Sequence, residues 1–241
     1  MCDHALPEVE HHVGADYDDL FADFLNTAAY ACDIAIELSF YDAVRGSLPT
    51  SVNLCDAWVL SGSQHDAYAD DIWIENLRAF VREVIGAEGR VAGICFGHQL
   101  VATAMGGSVG PSDHWSVGPQ RLVLAGTPWF AEAEVHLHAM HRDIVTALPP
   151  GATSIGEGTT AALPAFLLGN NVLCVQDHPE LPAPFVTALI EAHVDEIDAD
   201  TIRRARENIR QQPTDGPKLG EMILRFLSDD RIDTPPAQSG I

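Results

Sequence analysis

The pattern of apolar and polar positions divides the chain into a series of helices and strands. Asp16 to Ala31 carries Leu20, Phe21, Phe24, Leu25 and Ala28 at helical spacing. Cys32 to Phe40 reads as a strand, with Ile34, Ile36 and Leu38 alternating with smaller or polar groups. Arg45 to Asn53 is a turn-rich connection. Ala57-Trp58-Val59-Leu60 is a short apolar run of the kind a buried strand shows, and Ser61-Gly62-Ser63-Gln64 is the loop at its carboxyl end. From Asp70 to Ile85, the residues Trp73, Ile74, Leu77, Phe80, Val81 and Val84 form one stripe of an amphipathic helix. Val91, Ala92 and Ile94 predict a further buried strand. It runs straight into a helical pattern at Leu100, Val101 and Ala104, which ends near Gly106-Gly107.

Beyond Ser108 the pattern changes to short strands and turns as far as Gly169. The strands fall at Gln120 to Leu124, Glu134 to Leu137, Thr153 to Ile155 and Ala165 to Leu168. A last apolar run (Val172, Leu173, Val175) precedes three helices. They cover Pro184 to His193, Asp200 to Gln211 with Asp200 as its cap and Pro213 as its breaker, and Lys218 to Leu227. Residues 1–15 read as a polar leader and 233–241 as a loose tail. Doubly wound domains usually open with a strand, so this leader suggests a chain that starts late and lacks most of its first strand. The expectation is one α/β domain over 1–241. It has a doubly wound, mostly parallel central sheet with flanking helices and a short antiparallel section.

Two stretches carry chemistry. In Val91-Ala-Gly-Ile-Cys-Phe-Gly-His-Gln-Leu100, the strand ends at Cys95 and a helix begins at once, with Gly93 and Gly97 two residues either side. This is a G-x-nucleophile-x-G elbow, a sharp turn that lifts a reactive side chain above the sheet. A Cβ at either glycine would meet the adjacent strand or helix, or forbid the turn's backbone angles. The unpaired N–H groups of a helix start also favour a thiolate there. Taken alone, the pattern fits a buried structural cysteine as well.

The second stretch is Val175-Gln-Asp-His-Pro-Glu180. A nucleophilic cysteine needs a base and a group that orients the base. In extended chain, alternate residues share a face, so Glu180 lies with His178 while Asp177 points away. Pro179 fixes its own φ and biases His178 against helix, which favours that geometry. Cys95, His178 and Glu180 are therefore the expected nucleophile, base and orienter.

Gly-Ile-Cys-Phe-Gly-His-Gln followed by Gln-Asp-His-Pro-Glu resembles the class I glutamine amidotransferase family. Ser61-Gly62-Ser63 ahead of Trp73, together with His141-Arg142-Asp143, is similar to stand-alone members related to the amidotransferase domain of GMP synthase. Some of those members act as γ-glutamyl peptidases. The resemblance runs from about Tyr17 to about Glu191. It implies a flavodoxin-like fold and cleavage of the γ-carboxamide of glutamine or of a γ-glutamyl peptide through a thioester. It places oxyanion-hole donors at the backbone of Gly62 (or its neighbour) and of Phe96. It also assigns recognition of the bound glutamine to Gln99, and sets Ala139-Met140-His141 beside the substrate's amino-acid end. Two positions depart from the family. Asp177 puts a carboxylate next to the base, and Thr159 to Phe166 lacks a polar Asn-Gln pair common in relatives. These departures keep open a non-catalytic binding or regulatory module on the same scaffold.

Composition narrows the partners. Apolar residues make up 46% of 241, enough for a large core. Lysine and arginine number 13 against 35 acids, a net charge of −22, which repels phosphate backbones and anionic lipid. Neither nucleic acid nor membrane is an expected partner. The five scattered cysteines (Cys2, Cys32, Cys55, Cys95, Cys174) include no C-x-x-C and suit a reducing compartment. With no apolar run near a membrane-spanning length, the cytoplasm is the expected location. His4, His11 and His12, and again His136, His138 and His141, invite a metal reading. The first three sit in what reads as a flexible polar segment, and no acid or cysteine completes a credible site beside the second three, so neither a metal nor another cofactor is expected. The chain carries no nucleotide-binding signature. Ammonia released here would pass to a separate synthase subunit, or the enzyme would be a free-standing hydrolase.

Overall fold

The computed structural model describes residues 1–229 except 126, 128, 130–132 and 160. Helices α1 (Pro7–Val13) and α2 (Tyr17–Cys32) precede strand β1 (Ala57–Leu60), α3 (Ile72–Gly86), β2 (Arg90–Ile94) and α4 (Phe96–Ala104). The long strands β3 (Ser108–Leu124) and β4 (Ala133–Ala147) follow, then β5 (Ala152–Ser154), β6 (Gly156–Gly158), β7 (Ala165–Leu168) and β8 (Val172–Val175). The chain closes with α5 (Ala183–Ala192), α6 (Ala199–Gln211) and α7 (Gly216–Leu227).

The central sheet runs β1-β2-β8-β7-β5. Its first three strands are parallel, with Trp58 opposite Val91 and Val91 opposite Val172, and β7 and β5 add to it antiparallel. The α/β architecture is thus the expected one, with a mixed sheet and helices on both faces. Alternation sorts the strand residues between two cores. Trp58, Leu60, Val172 and Cys174 face α3 and α4, where Leu77, Val81, Leu100 and Val101 are buried. Leu173, Val175, Ala92 and Ile94 face α2 and α7, against Phe21, Phe24, Leu25, Ile223 and Phe226. Because both faces are covered, β8 is buried at every position, and a run of apolar residues without alternation is the sequence that suits it.

Four expectations are corrected. The antiparallel section is built from long strands, not short ones. β3 and β4 pair from Ser108–Ala147 to Leu124–Ala133, and register shifts between Ser108 and Val109 and between Pro111 and Ser116 absorb the turn-forming residues as bulges. The segment after Cys32 is extended but forms no strand. Asp33, at φ 55°, closes α2, and residues 34–42 enter no strand pairing with the described residues. The polar leader contains α1, whose Val9 is buried with Ala5 among α5 residues. His4 anchors this leader by bonding Asp16 (2.7 Å) and Asp42 (3.0 Å). Finally, α6 is capped by Asp198, whose carboxylate accepts from Thr201 N–H at 2.9 Å, while Asp200 pairs with Arg203 one turn on. The loose tail expected at 233–241 lies outside the described residues.

Candidate active site

β2 delivers Cys95 to the carboxyl end of the sheet, and α4 starts at the next residue. Cys95 has φ 52° and ψ −104°, a backbone conformation that L-residues rarely adopt. The surrounding contacts hold it there. Its N–H donates to Val175 O (3.0 Å) and its carbonyl accepts from Gln99 N–H (3.1 Å). The flanking glycines are close-approach residues. A Cβ on Gly93 would stand 2.7 Å from the backbone of Gly97, and one on Gly97 would stand 2.5 Å from Leu60 O. Phe96 stacks its ring on Trp73 (centroids 5.6 Å apart, planes at 24°), which fixes the first turn of α4. The leading N–H groups of that turn have no partner inside the helix.

The extended run after β8 brings His178 and Glu180 to the same place. Nδ1 of His178 donates to Oε1 of Glu180 at 2.6 Å, with the Glu180 side chain fully buried. His178 N–H donates to His138 O at 2.8 Å, joining this run to β4. Burial works against a charge on His178. The charges of Glu180 and Cys95 and its hydrogen bonds to both outweigh that, and they hold the imidazole well above its ordinary range. Gly62 lies against the other side of the ring, where a Cβ would be 2.8 Å from His178 Cε1.

Asp177 faces the other way. Its Oδ1 accepts from His141 Nε2 at 3.2 Å, and both side chains are almost fully buried. The carboxylate that departs from the family pattern therefore belongs to a pair on β4 and lies turned from the base. Gln99 donates to the backbone oxygen of Asp143 (2.8 Å) and to Gln176 Oε1 (3.3 Å), and Gln176 Nε2 reaches Cys95 Sγ at 3.7 Å. A cavity of about 470 Å³ opens here, with Cys95, Gln99, His178, Met140 and His141 in its lining. Cys95, His178, Gln99, Met140 and His141 thus share one pocket, while Glu180 and Gly62 lie against His178 and Phe96 follows Cys95 in the chain.

Several contributors escape sequence reasoning. Asp3, buried in what reads as a polar leader, accepts from Ser63 Oγ (3.0 Å) and Gln64 N–H (2.9 Å), and Cys2 N–H donates to Ser61 Oγ (2.8 Å). The first residues of the chain therefore pin the Ser61–Gln64 loop. Tyr17 lines the pocket, and burial together with the charges of Asp3, Glu180 and Cys95 pushes its phenol far up. His138, buried and held down in its titration chiefly by that burial, donates from Nδ1 to Leu181 O (2.8 Å). His98, fully buried on α4, is pushed down to about 3 by burial and stays neutral. Gly216 at the start of α7 leaves no room for a Cβ beside the carbonyl of Pro179, the residue between His178 and Glu180. None of these carries a motif, because each acts through a contact made only in the folded chain.

The histidines that invite a metal reading go separate ways. His136 bonds Asp215 through its backbone, His138 bonds Leu181 and His141 bonds Asp177. Among the described residues no cluster of three metal-binding side chains forms, and no helix is long and apolar enough to cross a membrane.

The sequence profile of the family described as "Glutamine amidotransferase class-I" matches residues 16–194. Gamma-glutamyl peptidase 2 of Arabidopsis thaliana is 25% identical over 205 residues, covering 79% of this chain and 82% of that protein. The glutamine amidotransferase-like protein chyE of Penicillium rubens is 30% identical over 204 residues, covering 80% and 83%. Among solved structures, a glutamine amido transferase from Methylobacillus flagellatus superposes with a TM-score of 0.68 at 23% identity, covering 86% of this chain and 87% of that one, which is a likeness of fold.

Proposed function

The chain belongs to the class I glutamine amidotransferase family, and from that premise we propose that it hydrolyses a γ-glutamyl amide, with Cys95 as nucleophile, His178 as acid and base, and Glu180 as the group that orients His178. The observation that carries the reading is the 2.6 Å bond from His178 Nδ1 to Glu180, which leaves Nε2 free to serve the Cys95 sulfur.

In the proposed reaction the Cys95 sulfur attacks the γ-carbonyl carbon and a C–S bond forms as the carbonyl electrons move to oxygen. The backbone N–H of Phe96, with the Gly62 loop, receives that oxyanion, and each such donor contributes about 3–4 kcal/mol. His178 passes its proton to the leaving nitrogen, and the C–N bond breaks to release ammonia or an amine. Water then loses a proton to His178 and attacks the thioester, the C–S bond breaks, and the carboxylate product leaves. Gln99, Met140 and His141 line the part of the pocket that would take the amino-acid end. Because relatives carry the names gamma-glutamyl peptidase and glutamine amidotransferase-like protein, the substrates to compare are γ-glutamyl dipeptides and glutamine. Activity of the isolated chain on the dipeptides favours a free-standing hydrolase, while co-purification of a stoichiometric synthase favours a subunit that supplies ammonia. The test is an electrophilic glutamine analogue. It should label Cys95 alone among the five cysteines and stop turnover with the same time course. Equal labelling of all five, in a protein that hydrolyses neither substrate, would leave a non-catalytic module.

A further inference from the structure

The cavity over Cys95 has two unlike sides. Gln99, Asp66, Arg142 and Asp143 line one, with His141 beside them. Gln99 bonds Asp143 O there (2.8 Å), and His141 bonds Asp177, which faces away from His178 along the run 175–180. This side offers charges of both signs. Leu6, Tyr17, Trp115, Leu181, Leu189 and His193 line the other.

The second side adjoins the base. Leu181 directly follows Glu180, and its carbonyl accepts from His138, whose own carbonyl accepts from His178 N–H. Tyr17 packs on Phe185 of α5 (centroids 5.6 Å apart), and Leu189 lies one turn further along that helix. Trp115 of β3 meets His193, at the end of α5, with centroids 5.8 Å apart. Leu6 and Trp115 are only partly buried, although they pack on the apolar core of α1 and α5. Apolar and aromatic groups left open in a reactive cavity are stabilised when a ligand covers them.

Charge separates the two sides further. Among the described residues that line the cavity, Arg142 is the only lysine or arginine, and it belongs to the polar side. The apolar side ends one turn beyond His193 at Glu196, which is exposed. Nδ1 of His193 donates to Leu189 O (2.9 Å), so in its neutral form Nε2 offers a lone pair and no N–H.

We propose that the apolar side is the leaving-group subsite, and that the substrates are γ-glutamyl amides of uncharged, ring-bearing substituents, the class of γ-glutamyl arylalkylamides. The proposal rests on the hydrolytic reading above. The zwitterionic glutamyl end needs both signs of charge, which the polar side supplies. His178 protonates the leaving nitrogen, so the substituent on that nitrogen lies beyond the imidazole, toward Leu181 and Tyr17. Amide and water give glutamate and the free amine: the C–N bond breaks, the oxygen of water enters the new carboxylate, and its proton leaves on the amine. The rings of Tyr17, Trp115 and His193 suit an aromatic group. Ammonia, the leaving group of glutamine, would touch none of this wall. The leaving group of a γ-glutamyl dipeptide carries a carboxylate, which would lose water beside Leu189 and Trp115 with Glu196 nearby and no cation to pair with.

The test measures binding by calorimetry on the Cys95→Ala chain, which does not turn over, with Cys95→Gly as a second background. The ligands are glutamine, γ-glutamylphenylalanine and γ-glutamyl phenethylamide, the last two sharing a ring and differing by a carboxylate. The phenethylamide should bind about tenfold or more tighter than either of the others. Trp115→Ala should weaken the phenethylamide about tenfold more than it weakens glutamine. Equal affinity for glutamine and the phenethylamide, equal losses in the Trp115 variant, or no binding of any ligand would overturn the subsite. A dipeptide that binds as tightly as the phenethylamide would overturn the exclusion of a carboxylate. Turnover by the wild type separates this proposal from the hydrolytic reading. Selective binding without release of phenethylamine would uphold the subsite and overturn the hydrolysis. Faster hydrolysis of glutamine than of the phenethylamide would keep the hydrolysis and overturn the substrate class.

Discussion

His178 and Glu180 are two residues apart, and the bond from Nδ1 to Oε1 closes the gap between their side chains to 2.6 Å with almost no access to solvent. Burial alone would push an imidazole toward neutrality, whereas Glu180 and Cys95 together keep this one charged to higher pH. Glu180→Gln removes the carboxylate and keeps the shape. In the proposed reaction the imidazolium protonates the leaving group, so activity falls as pH rises through the titration of His178. Without Glu180 that titration moves down, and the alkaline limb of kcat/KM should shift to lower pH. The rate at the optimum should drop by about 10²- to 10⁴-fold, the range of general acid–base contributions. An alkaline limb left in place would mean that Glu180 does not act on His178.

Cys95 combines the proposed nucleophilic sulfur with φ 52° and ψ −104°. Such strain costs about 1–3 kcal/mol in a non-glycine residue, and glycine escapes it. Cys95→Ala and Cys95→Gly should both lose hydrolysis to background. They should differ in stability, with the glycine variant more stable than the alanine one by about 1 kcal/mol in denaturant unfolding, despite the entropy that glycine carries in the unfolded chain. Residual turnover in either variant would remove the sulfur from the mechanism. A glycine variant less stable than the alanine one would mean that the turn holds no strain.

The geometry of the elbow and of the His-Pro-Glu run was legible because it is local. Glycines two residues either side of Cys95 and an alternation of two between His178 and Glu180 are visible in a few consecutive letters. What supports them was not. Asp3 reaches Ser63 and Gln64 across about sixty positions, and nothing in a polar N-terminal stretch announces a carboxylate buried under a loop. Asp177 looked like a threat to the base, because a neighbour is visible in the letters but the partner on β4 that bonds it is not. The alternation at Ile34, Ile36 and Leu38 was real and those side chains do pack inward. A strand, however, also needs a neighbour to bond with, and periodicity contains no information about that.

Gly62 tests how tightly the loop is set against the base. In Gly62→Ala the new Cβ would lie 2.8 Å from His178 Cε1, closer than carbon atoms approach without displacement. The ring or the loop must move, and a shift of about 1 Å in a reacting group is enough to cost about 10²-fold in rate. The expected result is a fall in kcat of that size with the cooperative melting transition retained. Wild-type kcat would show that the loop yields without cost.

The N-terminal anchor should make stability depend on pH through His4. Its bond to Asp16, opposed by burial and aided by Asp42, raises its titration above the ordinary histidine value of about 6.5. That contribution is full below about 6.5 and is lost as pH rises through the folded-state value. Asp16 and Asp42 are held below the ordinary carboxylate range, against their burial, by backbone bonds and by His4. Their contribution is full above about 4 and is lost as pH falls. The anchor is therefore strongest between about pH 4 and 6.5. Thermal melts of the wild type and His4→Gln across this range should differ most near pH 5–6 and converge toward pH 8. A constant difference would assign the role of His4 to packing.

Gly216 sets two effects against each other. It lies in the first turn of α7, where alanine for glycine normally stabilises a helix by up to about 1 kcal/mol. Yet a Cβ there would overlap the carbonyl oxygen of Pro179, a backbone atom that cannot rotate aside. Overpacking of this kind costs about 1–3 kcal/mol, so the clash outweighs the propensity gain. Gly216→Ala should lower the melting temperature, and because Pro179 joins His178 to Glu180 it should also lower kcat/KM while leaving Cys95 in place. Measuring both on the same preparation separates the causes. A stabilised variant with intact activity would show α7 free to shift away from the His-Pro-Glu run. A destabilised one that still reacts with the electrophilic glutamine analogue at the wild-type rate would show that the run keeps its geometry when pressed.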